Sequence, residues 1–193
     1  MEAGSKLDPE REKAILGATL ELLAETGYEA LRLDAVASRA KASKATLYRH
    51  WPGKAELVVD AVKCYEQDDL TEEVDTGSLR GDVLATLSAM RDLVSGEMGQ
   101  IMAGLVAPVQ KDPELARVVQ TSMLEDKQQV AQRMLDRAIA RGELSADTDP
   151  TVFPEVAPAL MFMRLFINAE SIDDAFLVHV TDDILIPLMV RTR

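Results

Sequence analysis

Eight consecutive residues, Ser43-Lys44-Ala45-Thr46-Leu47-Tyr48-Arg49-His50, gather two aliphatic hydroxyls, a phenol, two cations and an imidazole. Such groups donate hydrogen bonds and neutralise charge. They suit contact with phosphates and base edges better than bond cleavage. Catalytic patterns are missing from the rest of the chain. His50 and His179 are the only histidines, and neither stands three residues after a glutamate, as a ferritin-like di-iron site requires. The single cysteine, Cys64, excludes a disulfide framework and a cysteine zinc site. No HExxH, GxSxG or phosphate loop occurs. The acid pairs Asp173-Asp174 and Asp182-Asp183 read as helix-start and surface charges. The expectation is a protein that is not an enzyme and needs no metal or cofactor.

The charge of the chain points at first in the opposite direction. Its 193 residues hold 21 Lys and Arg against 33 Asp and Glu, a formal charge of −12, which would repel a polyanion. Resolved by position, residues 1–63 are neutral and the remainder carries the whole excess of acid. Within 32–54, Arg32, Arg39, Lys41, Lys44, Arg49 and Lys54 face Asp34 alone, for a net +5. The composition, 47% apolar but only 4% aromatic, supports a real core and favours helices over strands.

Helical elements are needed to position the polar octet, and the pattern supplies them. Asp8-Pro9-Glu10 reads as a capped start. Ala14, Ile15, Ala18, Leu22 and Leu23 then recur at helical spacing until Gly27, which suits a left-handed cap. Tyr28 and Leu31 should pack back on this helix. A short helix from about Asp34 to Ala40 turns Val36 and Ala37 inward, Lys41-Ala42 breaks it, and Ser43 caps a third helix over Lys44–His50. Leu47 and Trp51 are expected in the core. Lys54 opens a fourth helix with Leu57, Val58, Ala61 and Val62 on one stripe. Two short helices joined by a tight turn form a helix-turn-helix.

With these elements in order, residues 11–63 resemble the DNA-binding head of the tetracycline-repressor (TetR/AcrR) family. The likeness runs from Ile15-Leu16 through Gly27-Tyr28, Ala37 and Ala40, and Leu47-Tyr48-Arg49-His50-Trp51 to Lys54-Ala55-Glu56-Leu57. Two positions depart from it. Lys41 stands where the family usually has Gly, at a cost of about 1 kcal/mol if the backbone there is left-handed, and Trp51 replaces the commoner Phe. The resemblance implies DNA contact by Ser43, Lys44, Ala45, Thr46, Tyr48, His50 and Lys54. The residue types give the same reading: Lys44 can donate to guanine, the Ala45 methyl can approach thymine, and Thr46 can serve a base or a phosphate. Tyr48, Arg49, Lys54 and Arg32 suit backbone phosphates. Ser43 also has a capping role, and His50 has an alternative as a packing residue against the connector.

Beyond residue 70 the pattern stays helical. Ser78 caps a segment ending at Gly96, and 98–109 is apolar. Asp112-Pro113-Glu114 opens a long helix to Gly142, with a break near Thr121-Ser122, and Asp149-Pro150 starts one interrupted by Pro154 and Pro158. Ser171 is expected to cap the last helix. Every methionine but Met1 lies here, and methionine suits adaptable apolar pockets as well as cores. The resemblance implies a carboxy-terminal domain that binds a small effector and dimerises, so the expected class is all-α, with a head over 8–53 and an effector-binding body over 54–193. The expected pocket lining is Met90, Met98, Met102, Leu105, Met123, Met134 and Phe162, with Gln100, Arg164 or Asn168 as polar anchor. Apolar residues in excess of one stripe, Leu160, Phe166, Phe176, Val180 and Ile184, are expected at a helix-pair dimer interface.

The opening residues lack the apolar core of a signal peptide, and the strongly apolar run 156–163 is far short of a membrane span, so a cytoplasmic protein is expected. The reading is a dimeric regulator, expected to repress from a palindromic operator and to release it on binding an apolar or amphipathic effector. The alternative is a helix-turn-helix protein that binds DNA constitutively or through a protein partner.

Overall fold

The computed structural model describes the backbone of residues 7–70 and 74–190, and all their side chains except those of 66–70 and 123–126. Every regular element among them is helical. In chain order these are α1 (Pro9–Ala30), α2 (Leu33–Arg39), α3 (Lys44–His50), α4 (Lys54–Leu70), α5 (Leu79–Val94), α6 (Glu97–Lys111), α7 (Pro113–Val118), α8 (Glu125–Ala140), α9 (Val152–Phe162), α10 (Asp174–His179) and α11 (Ile186–Val190). Wider π-helical turns, Val119–Leu124, Met163–Ile167 and Val180–Leu185, prolong α7, α9 and α10. The break expected near Thr121-Ser122 is the first of these turns. Among the described residues no helix is long and apolar enough to cross a membrane.

The chain forms two compact units. The first joins residues up to 68 with 97–123, so it extends past the boundary expected between 53 and 54. The physical reason is packing: α1 lies along α6, and the α4 residues Leu57, Val58 and Val62 are buried. Ile15, Leu22, Leu23, Val36, Leu47 and Trp51 also fill this unit, as do Met98 and Leu115 from its second segment. Gly27, at φ 73, breaks the helical path of α1 and lets Tyr28 and Leu31 turn back into the core, 3% exposed each. Asp8 occupies the N-cap of α1, but its side chain makes no capping hydrogen bond, leaving the start to Pro9 and the first-turn acids Glu10 and Glu12.

The second unit joins 69–96 with 124–193. Leu79, Val83, Leu87, Met134, Leu135, Phe153, Leu177 and Leu185 are buried in its core. Ser78 caps α5 by accepting from Gly81 N at 3.1 Å. The expected cap of the last helix shifts by two residues: Asp173, not Ser171, accepts from Phe176 N at 2.8 Å, because α10 begins at Asp174. A polar knot sits at the start of α5. The fully buried Asp82 accepts from Thr76 N at 2.6 Å, Thr76 Oγ1 at 2.8 Å and Arg141 Nη2 at 3.0 Å, while Glu143 accepts from Leu79 N at 2.7 Å. Burial alone would raise the Asp82 pKa, but the Thr76 donors and Arg141 together hold it below the usual range.

Candidate nucleic-acid interface

Helix α3 is anchored from behind and open in front. Leu47 is wholly buried and Trp51 nearly so, with the indole donating to Asp60 Oδ2 at 2.9 Å. Ser43 caps the helix by accepting from Thr46 N at 3.1 Å, and its hydroxyl meets the Thr46 hydroxyl at 2.8 Å. Lys44, Ala45, Tyr48 and Arg49 point to solvent, and Tyr48 is 56% exposed although it is a large aromatic with no packing duty. Arg32, at the N-cap of α2, is exposed too. His50 is half-buried. Its Nε2 is covered without a hydrogen-bond partner, and its ring lies 6.0 Å from that of Trp51, the packing geometry of its alternative reading.

Several cations of this face are already engaged. Lys44 Nζ lies 2.6 Å from Asp34 Oδ2, with both side chains more than half exposed. Arg39 grips both oxygens of Glu25 at 2.8 and 2.9 Å and reaches Glu21 at 3.3 Å, and this grip holds the Glu25 carboxyl below its usual range. Lys54 is half-buried. It donates to the Tyr28 carbonyl at 2.9 Å and lies 4.1 Å from the centre of the Tyr28 ring. Arg32, Lys41 and Arg49 are exposed and make no side-chain hydrogen bond or ion pair among the described residues, so they are available to an incoming anion. The pairing of Lys44 with Asp34, and of Arg39 with Glu21 and Glu25, escaped the sequence reading, since pairing across helices leaves no periodic signal. In the turn before α3 the left-handed case applies, with Lys41 at φ 51.

The residues expected to line an effector pocket fall on both units. Met98, Met102 and Leu105 belong to the first, and Met90, Met134, Phe162, Arg164 and Asn168 to the second. Met123 lies outside the described side chains. Met98 and Met134 are buried at 2% and 4% and act as core filler. Arg164 is committed locally: it donates to Ser171 O at 3.0 Å, pairs with Glu170 at 2.7 Å and covers the Phe176 ring at 4.5 Å. Asn168 and Phe162 are exposed. Two open clefts, about 290 and 350 Å³, contain none of these residues. Among those expected at the dimer face, Val180 is wholly buried within its own unit, one helical turn after the buried Leu177 and on the same inward face. Leu160, Phe166, Phe176 and Ile184 are half-buried, while Phe162, Met163, Ile167, Val178 and Leu188 are exposed.

Residues 15–61 match the profile described as "Bacterial regulatory proteins, tetR family", and residues 73–184 match "Tetracyclin repressor-like, C-terminal domain". The DNA-binding transcriptional repressor TetR of Mycobacteroides abscessus is 32% identical over 179 residues, 93% of this chain and 94% of the relative. The HTH-type transcriptional repressor KstR of Rhodococcus jostii is 32% identical over 153 residues, 76% of this chain and 65% of its own length. Among solved structures, the TetR family transcription regulator SCO0332 aligns with a TM-score of 0.74 at 30% identity, covering 91% of this chain and 97% of that one.

Proposed function

This chain belongs to the TetR family of transcriptional regulators, and from that premise we propose that it acts as a dimeric repressor on a roughly palindromic operator. One observation carries the reading. Leu47 and Trp51 fix α3 from behind, while Lys44, Ala45, Tyr48 and Arg49 stand clear on its front, the face that enters a major groove. Ser43, Thr46 and Arg32 flank that face with donors for phosphates. Two heads reading successive major grooves need about 34 Å between their recognition helices, which calls for a dimer. The exposed apolar residues Phe162, Met163, Ile167, Val178 and Leu188 provide a face for it. Selecting bound sequences from random duplex DNA tests the reading: two inverted half-sites one helical turn apart are expected, and enrichment of no sequence would refute it.

Release by a small apolar or amphipathic effector is the second part of the proposal. It rests on the family and on the methionine-rich carboxy-terminal part. In the FadR structure of Bacillus subtilis, 14% identical, the bound molecule is stearoyl-CoA, and that likeness bears on fold alone. A different reading, DNA binding without an effector, is favoured by Met98 and Met134, which fill cores instead of lining a cavity. A thermal-shift screen of hydrophobic compounds, followed by operator binding with each hit, separates the two readings. A hit that raises Tm and weakens operator binding supports the effector, and hits that leave operator affinity unchanged support the rival.

A further inference from the structure

One carboxylate joins three elements of the first unit. Asp112 Oδ2 accepts from the Tyr28 hydroxyl at 2.8 Å, and Asp112 Oδ1 accepts from Glu114 N and Leu115 N at 3.0 and 3.2 Å, capping α7. Tyr28 is the seat of Lys54, through both its carbonyl and its ring. Residue 112 at the α6–α7 corner is therefore connected, through one buried phenol, to an ammonium at the start of α4. The Tyr28 hydrogen bond, then the Leu115 amide, hold the Asp112 carboxyl below its usual range. Burial first, and the bond to Asp112 second, push the Tyr28 phenol up, so at neutral pH the pair is a charged acceptor and a neutral donor.

We propose that Tyr28 and Asp112 are positioning residues for DNA binding, which act through Lys54 and make its grip on a phosphate depend on the posture of the α6–α7 corner. The inference rests on the DNA-binding reading above and adds a regulated residue to it. An ammonium has three donors, and the Tyr28 carbonyl takes one, leaving others for a phosphate. Because the Lys54 stem is already ordered against Tyr28, less rotamer freedom remains to be lost when DNA arrives. The Tyr28 ring is held by core packing and, at its hydroxyl end, by Asp112, so the α6–α7 corner sets how firmly the seat is fixed. A cleft of about 290 Å³ bordered by Tyr28, Gly53, Lys54, Glu56, Asp112 and Glu114 leaves the corner room to shift. An exposed strap crosses the same corner: Arg117 Nη2 lies 3.3 Å from Glu56 Oε1 and 2.7 Å from Glu114 Oε1. It bypasses Tyr28 and so serves as a control.

The test is a double-mutant cycle on the full chain, using the duplex enriched by selection with the wild-type protein. Tyr28→Phe keeps the ring and the carbonyl and removes only the hydroxyl. It is expected to weaken binding about fivefold in the wild-type background, the worth of one hydrogen bond, and to have no further effect in a Lys54→Ala background. Arg117→Ala is expected to leave affinity within about twofold of wild type, as an exposed ion pair should. Hydrogen exchange supplies the second readout: operator DNA should slow exchange at 115–118 in the wild type and not in Tyr28→Phe. Equal losses from Tyr28→Phe in both backgrounds, or none in either, would overturn the relay while leaving DNA binding intact. A wild-type chain that enriches no duplex overturns the underlying reading instead.

Discussion

In the proposed DNA contact Lys44 and Lys54 start from different states, which separates their expected phenotypes. Lys44 leaves an exposed pair with Asp34, an interaction worth under about 1 kcal/mol, so it can turn to a base edge at little cost. Lys44→Ala should relax the preference at one base position. Lys54→Ala should weaken binding to every duplex and flatten the slope of log affinity against log salt by about one unit. A salt titration with matched and mismatched duplexes checks both. Lys41 poses a question of stability instead. Its φ of 51 costs a residue with a Cβ about 1 kcal/mol relative to glycine. Lys41→Gly should therefore raise Tm by about 3 °C while removing one exposed cation from the turn, and calorimetry with and without duplex resolves the two effects.

At the scale of elements, what could be read in the sequence was local. The Asp-Pro start of α7, the Ser43 and Ser78 caps, the Gly27 exit and the stripe on α4 each lie within one or two turns of the residues they govern, and each took its expected place. The polar octet Ser43–His50 was legible for the same reason, since cap, exposed face and anchors all fall on one short helix and its ends. Bonds across long separations left no trace in the pattern: Tyr28 to Asp112 spans 84 residues and Asp82 to Arg141 spans 59. Val180 was expected at the dimer face as one of the apolar residues in excess of one stripe, but it follows the buried Leu177 by one turn and lies in the core with it, and an excess of apolar residues does not say which of them face inward. The Asp82 knot yields the stability prediction for α5. Removing the buried carboxylate leaves the Thr76 amide and hydroxyl without their acceptor, while Arg141 keeps Glu143 and Asp75, so Asp82→Ala should cost about 2 kcal/mol. Since the folded state depresses the Asp82 pKa, its contribution is present above the usual carboxylate range and is lost as pH falls through the lower folded value. Wild-type Tm should therefore drop more steeply than that of Asp82→Ala below about pH 4, as followed by circular dichroism.

For the molecule as a whole, assembly and DNA binding are expected to stand or fall together. Ile167 is 61% exposed and Met163 51% on the π turn after α9, apolar surface that the proposed dimer would cover. Ile167→Asp, which disturbs no buried contact, should give monomers in sedimentation at micromolar concentration and a loss of operator binding, with Tm of the monomer retained. A second consequence follows from the uneven charge along the chain. Adsorption to a resin responds to local surface and not to a sum over the molecule. Although its formal charge of −12 should bind this protein to an anion exchanger at neutral pH, the net +5 of residues 32–54 should also retain it on heparin. The same preparation would then be held by matrices of opposite sign.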